Sequence, residues 1–180
     1  MIQIRNGVFE TNSSSSHSIV VKKEGIKPED LIDPGWKAKD GILDIWSREL
    51  SFGWQFEILY EWYDKLRFAI ASFCHWDGED GLADIEEACK RRIKDFKGFN
   101  FIHYKDECTY GDIDHQSDGL LQNFLSNNDV SIEDFIFNNK YIAIIDNDNN
   151  ANFYQVSKAG LFNRAAVETI YPDRYMENDE

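Results

Sequence analysis

Two short polar stretches hold most of the residues in this chain that could do chemistry. The first runs from Glu10 to Ser18, where Asn12, four serines (Ser13, Ser14, Ser15 and Ser16) and His17 follow one another. Hydroxyl and amide groups spaced this closely are donors for an anion, and successive backbone N–H groups can form an anion-binding nest. Arg5 adds a fixed positive charge that suits a phosphate. His17 brings an acid or base that titrates near neutrality. The second stretch, Tyr110 to Asp118, sets Asp114 directly before His115 and Ser117 two residues after it. A histidine beside carboxylates can act as a general base, its imidazolium stabilised by the aspartate. Ser117, or a serine of the first stretch, is then the candidate nucleophile in the sense of a Ser–His–Asp triad. Each stretch also has a plain structural account. The first would be a flexible polar turn between strands, and the second a loop whose Asp or Ser caps a helix.

The charge distribution favours the anion-binding account of the first stretch. The 180-residue chain carries 33 Asp and Glu against 19 Lys and Arg, a formal net charge of -14. Residues 1–27 hold four basic residues against two acidic and are net +2, whereas residues 28–100 are net -6 and 101–180 net -10. The one net-basic segment is therefore the one that bears the Ser/His loop. A charge of -14 excludes a simple basic nucleic-acid binder, because phosphate neutralisation needs clustered Lys and Arg. It is compatible with a protein that imitates nucleic acid.

Arg5 to Ser18 (RNGVFETNSSSSHS) also resembles the opening of a set of small uncharacterised proteins, many from phages and mobile elements of Gram-positive bacteria. They begin with a phrase close to FETNSSSTHS; Ser16 stands here where Thr is frequent. Asp114-His115-Gln116-Ser117 resembles a second phrase of the same group. The resemblance implies a phage-related origin and a shared site, and it brings no particular chemistry with it.

The elements that must position these residues follow from pattern. Residues 2–9 and 18–22 have the composition of two short strands flanking the Ser/His loop. Lys27-Pro28-Glu29-Asp30 marks a helix start, Asp33-Pro34-Gly35 a break, and Ile42 to Trp46 a strand. Trp54, Ile58, Leu59, Trp62, Leu66, Ala69, Ile70 and Phe73 recur at helical spacing and predict one helix over Trp54 to Phe73. That spacing puts Trp54 and Trp62 in the core and leaves Tyr60, Tyr63 and Trp76 partly exposed. A Gly-and-acid turn leads to a second helix, to about Lys97, whose stripe is Leu82, Ile85, Ala88, Cys89, Ile93 and Phe96. Gly98 ends it, and a strand follows near Phe99 to Tyr104. Short helices are expected from Asp118 or Gly119 to Leu125 and, capped by Ser131, to about Phe137. Lys140 to Asp146 and Asn152 to Val156 suggest a hairpin. The expected fold is α+β: one domain over residues 1–175 with an acidic tail at 176–180, a small, mostly antiparallel sheet packed on two longer central helices.

No cofactor or metal is expected. Cys74, His75, His103, Cys108 and His115 match no zinc spacing, and three cysteines without a CxxC pair imply reduced thiols in a cytosolic protein; the resemblance implies that this cytosol is a bacterial host's. Asp146-x-Asp148-x-Asn150 opens like a calcium loop, but Ala151 and Ser157 stand where glycine and glutamate are required. A phosphoesterase pattern of paired His-x-Ser/Thr motifs also fails: His115-Gln116-Ser117 fits, while His17-Ser18-Ile19 and His103-Tyr104-Lys105 do not. Apolar runs are too short for a membrane span, and no signal-like stretch opens the chain.

Two functions of different class remain. One is binding or turnover of a phosphate-bearing, nucleotide-like small molecule, with transferase or phosphoester-hydrolase chemistry at His17 or His115. The other is an acidic inhibitor that mimics nucleic acid and blocks a host protein, as an anti-CRISPR or other anti-defence factor would. Salt separates them. A mimic's complex with a nucleic-acid-binding enzyme weakens steeply between low and physiological salt in a pull-down or titration. Salt-independent binding, or no binding to such enzymes, excludes mimicry.

Overall fold

The computed structural model describes residues 18–21, 31–77, 81–103, 110–113, 119–145 and 167–168. Its strands are β1 (Ser18–Val21), β2 (Ala38–Lys39), β3 (Ile42–Trp46), β4 (Ser51–Phe52) and β5 (Glu57–Leu59). Next come helices α1 (Trp62–Asp77) and α2 (Ala83–Arg92), then β6 (Gly98–Ile102) and β7 (Asp112–Ile113). The carboxyl-terminal elements are α3 (Leu120–Asn128), α4 (Ile132–Phe137), β8 (Tyr141–Ile145) and β9 (Val167–Glu168). Together they form a compact α+β domain.

Local chemistry explains the elements that matched expectation. Ser131 accepts a hydrogen bond from the Asp134 backbone N–H at 3.0 Å, so α4 begins where an N-cap serine satisfies a free donor. In α2 the acids Asp84 and Glu86 sit in the first turn and Lys90, Arg91 and Arg92 in the last, which suits the helix dipole. The α2 stripe of Ile85, Ala88 and Cys89 is buried. Gly119, in the left-handed region at φ 76°, precedes α3. The break at Asp33-Pro34-Gly35 is a tight turn, with the Gly35 N–H donating to Asp33 Oδ1 at 2.9 Å.

The expected helix over Trp54 to Phe73 is corrected. Its first third is not helical: Glu57–Leu59 is a strand, Trp54 is 60% exposed, and α1 starts only at Trp62. Ile58 and Leu59 suit either period, and β5 takes its hydrogen bonds from β8, far along the chain. The consequence for the aromatics is mixed. Tyr60 is exposed and Trp62 packs on the core as expected, whereas Tyr63 is buried rather than partly exposed. The second helix also stops earlier than expected, at Arg92, where Ile93 pairs with Ile32 in an isolated parallel bridge. The expected strand at 2–9, the helix start at Lys27, the strand at 152–156 and the tail lie outside the described residues; the expected pairing of 140–146 with 152–156 is corrected, because β8 lies between β5 and β1.

The largest sheet is antiparallel, in the order β5-β8-β1-β9, with Ile19 opposite Ala143 and Ile58 opposite Ile144. Two smaller sheets lie beside it. In the order β2-β3-β6, β2 is antiparallel to β3 and β3 runs parallel to β6, while β4 and β7 form a second parallel pair. The parallel pairs arise because α1 and α2 lie in the crossover between the strands, as parallel pairing requires.

One continuous core joins the layers. Leu66, Phe68, Ala69 and Ile70 of α1 meet Phe135 and Ile136 of α4, Phe124 of α3 and Ile145 of β8. Within it lies a cation: Lys65 is 1% exposed, and its Nζ donates to the carbonyls of Asn138 at 2.8 Å and Tyr141 at 3.2 Å. A buried ammonium is tolerated only when its protons are satisfied. Replacing it with a side chain of similar length and no donors, Lys65→Met, removes both hydrogen bonds, leaves the Asn138 carbonyl only the Tyr141 N–H at 3.2 Å, and is expected to cost about 2–3 kcal/mol in urea denaturation. At Gly111, with φ 80°, an added Cβ would lie 2.2 Å from the Leu50 carbonyl oxygen. Gly111→Ala should therefore lower the melting temperature by more than Gly35→Ala, where an added Cβ meets nothing within 4 Å, as calorimetry would measure.

Candidate functional site

The sequence-derived site residues Arg5, Asn12, Ser13, Ser14, Ser15, Ser16, His17, Asp114, His115 and Ser117 all lie outside the described residues. The elements adjoining them are described. Ser18 opens β1, an interior strand held by β8 on one side and β9 on the other. Ile113 ends β7, and Gly119 leads into α3. β1 and α3 pack against each other. The Ser/His stretch and the Asp114 to Asp118 stretch therefore run into elements that touch.

A separate polar cleft is formed wholly by described residues. Along β3 the alternation of the strand buries Leu43 and Ile45 and turns Asp44 and Trp46 to the other face. A 3-10 turn, Ser47–Glu49, then brings Glu49 beside them. On α1, Tyr63, Asp64 and Arg67 share a face because residues three and four apart are neighbours on a helix. Lys37 comes from the 3-10 turn Gly35–Lys37 that follows the Asp33 turn. These seven residues enclose about 330 Å³.

The cleft's groups hold one another closely. Arg67 pairs with Asp64 at 2.7 Å and donates to the Glu49 carbonyl at 2.9 Å, while its buried Nε has no partner. Asn100 of the adjacent β6 donates to Asp44 Oδ1 at 2.8 Å. The Lys37 ammonium stands 3.4 Å from the centre of the Tyr63 ring, a cation–π contact. The Tyr63 hydroxyl donates to the Asp44 carbonyl at 3.1 Å and also lies within hydrogen-bonding reach of the Glu49 side chain. A phenol has one proton, so it cannot serve both acceptors fully at once.

The ionisation states follow from this packing. Burial pushes the Tyr63 phenol up to about 12, and the Glu49 charge adds to the shift, so Tyr63 stays a neutral donor through ordinary alkaline conditions. Burial also holds the Lys37 ammonium below its usual value, a shift opposed by Asp64, reinforced by Arg67, and opposed again by Glu49 and Glu61.

Sequence reasoning missed this cleft. Of its seven residues only Tyr63 was singled out, and for the wrong reason. The available signal was the Asp64–Arg67 pair one turn apart beside Tyr63; Lys37, Asp44 and Glu49 look like ordinary solvated charges. Among the described residues no group of three or more His, Cys, Asp or Glu side chains is placed to hold a metal ion. Cys74 and Cys89 are buried and in no disulfide, and burial with the nearby Glu86 charge pushes the Cys89 thiol well up. No helix among the described residues is long and apolar enough to cross a membrane. The chain matches no protein-family model, no curated protein and no solved structure.

The raised Tyr63 value has a consequence for stability. An unfolded tyrosine ionises from about pH 10 and the folded one only near 12, so alkali favours the unfolded chain between those values. The contribution is whole below pH 10 and is lost as pH rises towards 12. Tyr63→Phe should flatten that part of the stability profile, measured by urea denaturation across the alkaline range. Absorbance at 295 nm should show a phenol titrating near pH 12 that is missing from Tyr63→Phe.

Proposed function

We propose that the chain binds a phosphate-bearing, nucleotide-like small molecule at its amino-terminal Ser/His loop. Asn12 and Ser13 to Ser16 cradle the anion, Arg5 helps neutralise it, and His17 or His115 moves a proton, with Asp114 orienting His115. Support comes from the packing of β1 on α3, the two elements into which the candidate stretches run. Loops that carry function are usually held by a rigid scaffold, and an interior strand is a rigid anchor. The polar cleft argues in the same direction by exclusion. Its three carboxylates outnumber its two cations, both of which are already engaged, so it does not suit a phosphate. The net +2 segment does.

Calorimetric titration with a panel of nucleotides and inorganic phosphate tests the proposal. At least one should bind, and His17→Ala should remove that binding while leaving the melting temperature unchanged. Should no panel member bind, or should His17→Ala and Ser14→Ala both bind as the parent does, the proposal fails.

A further inference from the structure

The cleft between β3 and α1 has features that the phosphate-binding loop neither explains nor uses. Its wall interleaves acceptors and donors, Asp44, Glu49 and Asp64 among Lys37, Arg67 and the Tyr63 hydroxyl, with the Trp46 indole beside them. Arg67 is spent on Asp64, and the Lys37 ammonium rests over the Tyr63 ring. A dianion entering would meet three carboxylates, and a compact cation would meet Lys37 and Arg67. A neutral ligand with several hydroxyls meets neither penalty, because each hydroxyl both donates and accepts.

Hydrogen bonding also selects such a ligand. The Tyr63 hydroxyl gives its single proton to the Asp44 carbonyl, so the Glu49 carboxylate that also lines the cleft keeps acceptor capacity. Asp44 takes one hydrogen bond from Asn100 on Oδ1, which fixes the carboxylate's orientation. A volume of about 330 Å³ lies at the small end of ligand sites and suits one ring rather than an extended chain. An aromatic wall offers such a ring a flat apolar face. We propose that this cleft is a binding site for a neutral polyhydroxylated molecule about the size of a single sugar ring. Asp44 and Glu49 accept from its hydroxyls, Lys37 donates, and Trp46 packs on its C–H face. The site is independent of the amino-terminal loop.

Amide correlation spectra of the full chain, titrated with a panel of free pentoses, hexoses and cyclic polyols to tens of millimolar, test this. At least one member should give saturable shifts confined to the amides of Lys37, Asp44 to Glu49 and Tyr63 to Arg67. Glu49→Gln should weaken that binding about tenfold or more, since a hydrogen bond to a charged acceptor is lost. Asp44→Asn should weaken it too and gives a second readout if Glu49→Gln does not fold. His17→Ala should leave it unchanged, which separates this site from the proposed phosphate site. The inference is overturned if no panel member shifts these amides, or if both cleft variants bind as the parent does. A response to organic ammonium ions or inorganic phosphate alone would overturn it equally.

Discussion

The contact on which the architecture depends is the Lys65 ammonium beneath the carbonyls of Asn138 and Tyr141. The acceptors flank the turn between α4 and β8, Asn138 ending the one and Tyr141 opening the other, so one side chain ties the central helix to the strand that pairs with β5 and β1. Burying a cation is costly unless its donors are met, and few geometries meet them with two carbonyls from one turn. The interaction therefore restricts how α1 can lie as well as adding stability. An apolar side chain at position 65 could pack in many orientations, whereas an ammonium accepts only those that keep its hydrogen bonds.

The orientation of the polar cleft follows from that restriction. Successive residues on a helix are about 100° apart, so Lys65 and the pair Tyr63 and Arg67 lie on nearly opposite faces of α1. Once Lys65 faces the α4–β8 turn, Tyr63 and Arg67 must face β3, where Asp44 and Glu49 wait. The parallel pairing of β3 with β6 then brings Asn100 beside Asp44. The cleft is thus assembled by two long-range constraints, one on the helix and one on the strand, rather than by any motif. Its remaining cost is the buried Arg67 Nε, and a cluster of half-buried charges is seldom a gain in stability over apolar packing.

This explains which features were legible in the sequence. The Ser131 cap, the α2 stripe, the strand Ile42–Trp46 and the turn at Asp33 depend on neighbours within a few residues, and those neighbours are visible in a linear chain. β5 was mistaken for helix because Ile58 and Leu59 satisfy two periods at once, and its partner β8 lies more than eighty residues away. The cleft was illegible for the same reason as β5. Lys37, Glu49 and Arg67 acquire meaning only once β3 and α1 are side by side.

The charge of the whole chain enters differently at the two proposed sites. At physiological ionic strength a charge is screened over about 8 Å, much less than the width of a domain this size. A phosphate at the proposed amino-terminal site therefore responds to the charges within that length of it more than to the -14 of the whole chain. At greater distance the whole molecule repels an anion, so a phosphate ligand approaches against a weak barrier and is held only at short range. A neutral polyol experiences no such barrier at the cleft, where the fields of five charged side chains partly cancel over a few ångströms. What a ligand meets is thus set by charge within a screening length, and a net figure for the chain describes neither site.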